Sequence, residues 1–248
     1  MTRRGCILSE GRVVTQVLPV TRNARTAAVP ALPRAALLAS MLCLIAPAAL
    51  AEGERFYFGG FLGAGDTTTA NTSFTDAGDP GTLDYDLGTP VGGGLILGWQ
   101  YSATLRSEVE LSLSDASVSG TTRDTVLTAP VTETADGDVQ ITYVMANGWL
   151  DVPVGGLLNP YVGGGLGVAH VSGDVTQGGG GMVLGSDSAL AAQVGAGLRF
   201  PTGFGGAIDI GYRYKTVTGA ELDQSGSAFT TDGEFSSHSV NIGYIFNF

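Results

Sequence analysis

Two absences narrow the classes of protein to which this sequence can belong. Its only cysteines, Cys6 and Cys43, lie within the first 51 residues. The rest of the chain therefore has neither a disulfide framework nor thiol chemistry. Beyond residue 51 there is also no apolar run long enough for a membrane helix. If the body of the chain enters a membrane, it must do so as β-strands.

Positive charge is scarce as well, and it is unevenly placed. Residues 1–51 hold six of the 12 basic residues and one of the 23 acidic ones, so the formal net charge of −11 understates how acidic the remainder is. A surface of this sign repels polyanions, and we expect no nucleic-acid partner.

The basic N-terminal part has the organisation of a secretory signal peptide. Arg34 precedes the uncharged run AALLASMLCLIAPAAL, and Ala49 and Ala51 form a small-x-small cleavage site. We therefore predict a leader over 1–51, cleaved after Ala51, and a mature domain over 52–248. The alternative is a retained membrane helix, but the run is at the lower limit for spanning a bilayer and contains a proline.

From residue 54 onward, strand-like segments alternate with polar or glycine-rich stretches. The eight predicted strands cover 54–65, 87–100, 103–115, 138–151, 159–172, 188–200, 205–217 and 235–248. They are roughly twice as long as the five or six residues usual in globular proteins. A tilted strand that crosses a bilayer needs about 9 to 11 residues, so this length favours a membrane barrel.

The connections between these strands follow a second regularity. Those after the second, fourth and sixth strands are short (QYSA, VPVGGLL and PTGF), whereas the others are long and polar, such as DTTTANTSFTDAGDPGTLDYD. An even number of strands with short turns at one end is the layout of outer-membrane barrels. We predict an all-β fold, an eight-stranded antiparallel up-and-down transmembrane β-barrel preceded by a signal peptide. Both termini and the short turns would then lie in the periplasm.

Alternation with period two assigns the faces of several strands. In TLRSEVELSLSD and GAIDIGYRYKT, charges of both signs share one face and the other face is apolar. A soluble barrel would turn these charges outward, whereas a membrane barrel turns them into its lumen. Eight strands enclose a lumen that side chains can fill, so we predict a polar network and no wide pore. Its predicted members are Arg106, Glu108, Glu110, Gln193, Arg199, Asp209, Arg213 and Lys215.

Specific ion pairs follow from the position of these strands in the barrel. The third and seventh predicted strands lie half a turn apart, so the acids of one should meet the bases of the other. We predict that Glu108 and Glu110 face Arg213 and Lys215 across the lumen. We also predict that Arg199 pairs with Asp209 over a hairpin turn. The segments ERFYFGGFLGAG and VQITYVMANGWLD are apolar on both faces; in the second, Asn147 and Asp151 favour the lumen.

The final segment, SVNIGYIFNF, alternates clearly. We predict that the even-numbered residues of 240–248 face lipid and that the odd-numbered residues of 239–247 face the lumen. Aromatic residues are favoured at membrane interfaces, and a group of them lies near the predicted periplasmic end. The predicted girdle includes Trp99, Tyr101, Tyr161, Phe200, Phe204 and Phe248.

The mature chain resembles the family of small eight-stranded outer-membrane β-barrels that includes the OmpA membrane domain, OmpX and the opacity-type surface antigens. The segments that carry the resemblance are NPYVGGGLGVAHVS, LAAQVGAGLRF, AIDIGYRYK and SVNIGYIFNF. It implies a non-catalytic structural or surface-interaction role in the outer membrane of a Gram-negative bacterium, in envelope integrity, adhesion or as a surface antigen. It also implies that the barrel-assembly machinery reads Tyr244, Phe246 and Phe248.

Two other functions remain open at this point. One is a small passive channel. The other is a barrel-form lipid A deacylase, because AHVS supplies His170 and a serine, Ser172, two residues later. Such an enzyme also needs a carboxylate to orient the imidazole, and no acidic residue is an obvious candidate for that role. Two separated histidines and no cysteine form no convincing metal site, and we predict no cofactor.

The long loops are the other place where function could lie. The first of them contains or adjoins Asp66, Asp76, Asp79, Asp84 and Asp86. These carboxylates are either a solvated surface or weak ligands for divalent cations that bridge to lipopolysaccharide. We expect a monomer that contacts outer-membrane lipid and lipopolysaccharide, and that meets any extracellular ligand through its four long loops.

Overall fold

The computed structural model describes residues 55–76, 79–127, 129–154, 158–177, 180–182, 186–203, 205–223 and 230–247. The predicted leader over 1–51, with its cleavage site at Ala49 and Ala51, lies outside these residues. So do Phe204 of the predicted girdle and the terminal Phe248. Within the described residues, no helix is long and apolar enough to cross a membrane.

The described residues form ten antiparallel strands in a closed ring. They are β1 Arg55–Asp76, β2 Asp79–Leu87, β3 Val91–Gln100, β4 Leu105–Thr125, β5 Val131–Asp151, β6 Asn159–Gln177, β7 Gly180–Met182, β8 Asp187–Pro201, β9 Gly206–Asp223 and β10 Thr230–Asn247. Pairing of β10 with β1 closes the ring. The predicted all-β barrel is thereby confirmed.

The ten strands occupy eight positions around the ring, which reconciles them with the predicted eight. β2 and β3 both lie between β1 and β4. β3 pairs with the first part of β1, and β2 pairs with the last part, after Ala70. Residues 88–90 separate them, and Pro90, immediately before β3, lacks a backbone donor. β7 and β8 likewise both pair with β6.

The strands reach much farther than predicted at one end of the barrel. The three short turns lie where expected, between β3 and β4, β5 and β6, and β8 and β9; this is called the short-turn end below. At the opposite end, called distal, β1 and β4 extend to Asp76 and Thr125, so the predicted first long loop is mostly a hairpin of β1 and β2. Strand pairing needs only backbone donors and acceptors, so it continues where the outward side chains become polar.

The outer surface of the barrel has two zones. From the short-turn end, outward residues are apolar and exposed, including Leu62, Leu95, Leu111, Val194 and Ile242. This apolar belt ends where polar outward residues begin on each strand, as at Asp66, which pairs with His238, at Asp115, and at His170, which pairs with Ser188. Beyond it, outward side chains are mostly Asp, Ser and Thr, so the distal part is a barrel with a polar exterior.

Aromatic rings line the short-turn edge of the belt. Phe58 stacks on Phe246 with ring centroids 4.8 Å apart, and Trp99 contacts both Phe56 at 4.5 Å and Tyr101 at 5.8 Å. Tyr161 is an exception and corrects the predicted girdle, because its side chain is buried in the lumen. Its neighbours in sequence, Pro160 and Val162, take the outward positions of β6.

The predicted faces of β10 agree with the structure where it describes them. Val240, Ile242 and Phe246 are exposed on the belt, whereas Asn241 and Ile245 are buried inside. The lumen is divided along its length. A network of charged side chains occupies the short-turn half, and a cluster of apolar side chains fills the distal half.

Candidate functional site in the barrel lumen

Glu108 is the centre of the charged cluster nearest the short-turn end. Its carboxylate accepts hydrogen bonds from the Tyr57 hydroxyl at 2.8 Å and from the Trp149 indole Nε1 at 2.7 Å. It also forms ion pairs with Arg106 of its own strand and with Arg199 Nη2 at 3.5 Å. Residue 106 lies next but one to 108, so both side chains enter the lumen from one face of β4.

Two further carboxylates complete this cluster. Arg106 Nε donates to both oxygens of Asp151, at 3.0 and 3.1 Å. Arg199 Nε lies 3.4 Å from Asp209 Oδ2, and the Tyr161 hydroxyl donates to Asp209 Oδ1 at 2.7 Å. The β8–β9 register places residues 199 and 209 directly opposite each other beside the turn.

A second cluster is centred on Glu110, one lumenal position farther along β4. Arg213 Nη1 lies 2.5 Å from its Oε2 and Lys215 Nζ lies 2.6 Å from its Oε1. Three neutral groups also donate to this carboxylate: the Ser112 hydroxyl at 2.7 Å and the amides of Asn147 and Gln193, each at 3.1 Å. Glu110 is fully buried, and these five donors replace the water that it would otherwise bind.

The two clusters together are electrically neutral. Four cations, Arg106, Arg199, Arg213 and Lys215, face four anions, Glu108, Glu110, Asp151 and Asp209. Aromatic rings cover several of the cations: the guanidinium of Arg106 lies 4.5 Å from the Tyr161 ring centroid, and Lys215 Nζ lies 4.3 Å from that of Tyr143. Pairing and ring contacts offset part of the cost of burying so much charge.

The structure places all eight predicted network residues on the lumenal face, but it pairs them differently from the prediction. Arg213 and Lys215 of β9 both form ion pairs with Glu110. Glu108 instead meets Arg106 and Arg199. Glu108 lies one lumenal position nearer the short turns, where Arg199 of β8 is within ion-pair distance. The contact of Arg199 with Asp209 has the predicted partners.

Several members of the network lie on strands whose faces the sequence left ambiguous. Tyr57 is fully buried at the start of β1, and Trp149 is fully buried in β5. Apolar side chains on both faces hide the period in these strands. The weak signal was the polar pair Asn147 and Asp151, which share the lumenal face with Trp149.

Apolar side chains close the lumen on the distal side of Glu110. Tyr143, Met145, Val171, Val217 and Phe235 belong to this apolar cluster, and each is at most 4 % exposed. The cluster continues to Tyr85 and Val118 in the part of the barrel beyond the belt. The distal part is thus built like a soluble barrel, with apolar residues inside and polar ones outside.

Both histidines lie on the outer surface at the edge of the apolar belt. His170 Nδ1 is 3.1 Å from the hydroxyl of Ser188 on the neighbouring strand, whereas the deacylase hypothesis predicted Ser172 as its partner. His238 Nδ1 is 3.2 Å from the Tyr212 hydroxyl, and its Nε2 is 3.9 Å from Asp66. The pair of His170 and Ser188 has no acid partner among the contacts found in the described residues.

Ligands for a metal do not converge in the part of the chain that the structure describes, since no three His, Cys, Asp or Glu side chains there come together. The acids predicted in the first long loop lie instead on strands. Asp66 and Asp76 belong to β1, and Asp79, Asp84 and Asp86 belong to β2.

Comparison with known proteins gives one family and several structures with a similar fold. The model of the outer membrane protein beta-barrel domain family matches residues 35–248. Neisserial surface protein A is 16% identical, with 79% of this chain and 100% of that chain covered and a TM-score of 0.47. OprG from Pseudomonas aeruginosa is 15% identical, with 78% and 95% covered and a TM-score of 0.48. The outer membrane protease OmpT from Escherichia coli is 8% identical, with 79% and 96% covered and a TM-score of 0.47.

No curated protein sequence matches the chain significantly. The family match nevertheless spans most of the chain and all ten strands, and it confirms the resemblance drawn from the strand motifs. The chain belongs to the outer membrane β-barrel domain family, whose members lie in the outer membrane of Gram-negative bacteria.

Proposed function

We propose that this chain is a non-catalytic outer-membrane protein with a structural or surface-interaction role, in envelope integrity, adhesion or as a surface antigen. One observation carries the proposal: a charged network and an apolar cluster close the lumen, while the strands continue past the apolar belt as a barrel with a polar exterior. A filled lumen favours a structural role over transport. A rigid extension beyond the belt provides a surface that a partner can contact.

The principal alternative is a small passive channel. The neutral network around Glu108 and Glu110 and the apolar cluster beyond it both disfavour ion flow, since an ion would have to displace paired charges and then cross an apolar layer. We expect purified protein in planar bilayers to show no conductance steps. Regular steps that scale with protein concentration, and that are missing from a preparation of another purified barrel, would favour the channel.

Lipid A deacylation is the weaker alternative. The contact between His170 and Ser188 lies at the belt edge, where a lipid substrate would be, but a serine nucleophile also needs a carboxylate to orient its histidine. Mass spectrometry of lipid A from cells that express the wild type or His170→Ala tests this. We expect identical acyl composition, and loss of an acyl chain only with the wild type would establish the enzyme.

The surface role requires a partner, and the charge of the distal part limits its chemistry. Outward acids such as Asp84, Asp86, Asp138 and Asp174 are exposed there, and Asp138 lies directly opposite Asp174. Such a surface fits a basic protein segment, or lipopolysaccharide bridged by divalent cations. Capture of a partner by intact cells should weaken when Asp138 and Asp174 are both changed to Asn. It should persist when the lumenal residues Asp209 and Arg199 are exchanged for Asn and Gln.

We further propose that the barrel is a monomer and that the barrel-assembly machinery reads its last strand through Tyr244, Phe246 and Phe248. Two contacts support the second proposal for the described part of the strand. Phe246 is exposed on the belt and stacks with Phe58, and the Tyr244 hydroxyl lies 2.9 Å from that of Thr202 beside a short turn. Both rings are thus presented at the belt edge nearest the short turns.

A further inference from the structure

Two small cavities follow one wall of the lumen beside the apolar cluster. The first has a volume of about 40 Å³ and reaches Lys215. The second, of about 20 Å³, lies on its distal side. Pro90, Ser114, Tyr143 and Ser237 line both, so the two cavities are adjacent.

Two glycines whose strands pair tightly line the first cavity. β1 and β3 present Gly63 and Gly92 to the first cavity. Neither position has room for a methyl group, since a Cβ at Gly63 would lie 2.1 Å from Asn241 Oδ1 and one at Gly92 would lie 2.1 Å from the Leu113 carbonyl oxygen. Tight pairing at these glycines leaves the adjacent space open.

The lining of both cavities combines apolar side chains with hydroxyl groups: Tyr143 of the apolar cluster borders both, and Val139 and Phe235 border the second. Hydroxyl groups of Ser112, Ser114, Ser237 and Ser239 border the first cavity together with the amide of Asn241. A water molecule needs about 10–15 Å³ of such a cavity and two to four polar partners. The first cavity can therefore hold roughly three water molecules and the second roughly one.

The outer end of the cavities lies behind the break between β2 and β3. Pro90 follows this break, and Thr67, at the register shift of β1, lines the second cavity. Single backbone hydrogen bonds flank the gap, from Gly65 N to the Pro90 carbonyl at 3.0 Å and from Gly88 N to the Ser117 carbonyl at 2.8 Å. The gap is level with the edge of the apolar belt, where the outer surface becomes polar.

The inner end is the ammonium group of Lys215. This group donates to Glu110 Oε1 at 2.6 Å and to the Ser112 hydroxyl at 2.9 Å, which uses two of its three protons. The third proton is left for the cavity, beside the Tyr143 ring. We propose that a short file of water molecules enters through the break between β2 and β3 and ends on Lys215.

This file of water molecules does not depend on any surface partner. It would connect the closed lumen to solvent through the barrel wall. On this route water reaches the Lys215–Glu110 pair from the belt edge along the side of the apolar cluster, without passing the cluster around Glu108. Cavities of about 40 and 20 Å³ hold a few water molecules and are too small for an ion with its full hydration shell. The protein would therefore expose one buried ion pair to solvent protons and still conduct no ions.

Lys215 is the only lysine of the chain, which makes the proposal directly testable. Protein labelled with ¹⁵N-lysine and refolded in lipid nanodiscs should give a single ammonium signal, and we expect cross-peaks between this signal and water. Ser114→Val places an apolar side chain where both cavities meet, and it should abolish those cross-peaks. Ser172→Val makes the same substitution on the exposed face of β6 and should leave them unchanged.

Two results would overturn the proposed water file. Absence of water cross-peaks at Lys215 in the wild type would overturn the proposal without any variant. Unchanged cross-peaks in folded Ser114→Val would show that water enters elsewhere, which would also overturn it. If Ser114→Val does not fold, Thr67→Val changes only a hydroxyl to a methyl group in the outer cavity and should weaken the cross-peaks.

Discussion

Lys215 of β9 and Glu110 of β4 meet across the barrel lumen, with Lys215 Nζ 2.6 Å from Glu110 Oε1. Their strands are not neighbours, because β4 pairs with β2, β3 and β5, whereas β9 pairs with β8 and β10. Arg213 reaches the same carboxylate from β9 at 2.5 Å. These contacts join opposite walls of the barrel and form only when the ring has closed.

Glu110→Gln should strongly destabilise the barrel. The change removes the common partner of Arg213 and Lys215 and leaves two cations buried without it. Breaking a buried ion pair from one side costs about 3–5 kcal/mol, and we expect a loss of this size in the free energy of unfolding. Urea titration of the protein in lipid vesicles measures it. Glu133→Gln, at an exposed position of β5, is the matched control and should behave as the wild type.

A second substitution shows whether charge is the cause. Adding Lys215→Met to Glu110→Gln removes one of the stranded cations, so the double variant should recover part of the lost stability. A wild-type unfolding curve for Glu110→Gln alone would contradict the central role of this carboxylate.

Leu111→Arg should impair insertion because Leu111 is 51% exposed in the apolar belt. Arginine on the lipid face near the bilayer midplane costs about 2–4 kcal/mol and progressively less toward the interface. Ser117→Arg lies on the same face of the same strand, beyond the belt, and should cost little. Folding into vesicles, followed by the shift in gel mobility between heated and unheated samples, compares the two. Equal yields would contradict the position of the belt.

Surface labelling should reveal which end of the barrel is outside. The single lysine of the chain is in the lumen, so amine reagents should leave the described part of the wild-type barrel unlabelled on intact cells. Ala129→Lys places an amine in the exposed connection between β4 and β5 at the distal end, and it should be labelled. Ala103→Lys, in an exposed short turn, should be labelled only after the outer membrane is permeabilised. Labelling with the reverse pattern would invert the proposed orientation.

Loss of the terminal aromatic residue should impair assembly and leave the folded barrel stable. Deleting Phe248, or changing Phe246 to Ala, should lower the amount of protein in the outer membrane, since both would weaken recognition by the assembly machinery. The stability of protein refolded in vesicles should fall much less. Ile242→Ala is the control, because it removes an apolar belt residue from the same strand and face but lies outside the proposed signal. Normal surface levels of both aromatic variants would contradict the proposal.

Alternation alone identified most strands and the faces of those that carry charge. In β4 and β9 the acids and bases fall on one face with period two, so their lumenal orientation could be predicted. The method failed where bulky residues occupy both faces. Tyr57 and Trp149 are inside because the closed ring leaves the other face to lipid, and that is a property of the whole barrel. The distal strand ends were missed for a different reason, since backbone pairing continues where the outward side chains become polar.

The sequence by itself determined the class of structure. The chain has no cysteine and no apolar helix after residue 51, and its long alternating strands are joined by short turns at one end. Only the tertiary structure decided which charges meet. Arg213 and Lys215 share Glu110, whereas Glu108 takes Arg106 and Arg199, because strand register and barrel closure set the level of each side chain in the lumen. Such levels depend on pairings between distant strands, and period two within one strand carries no information about them.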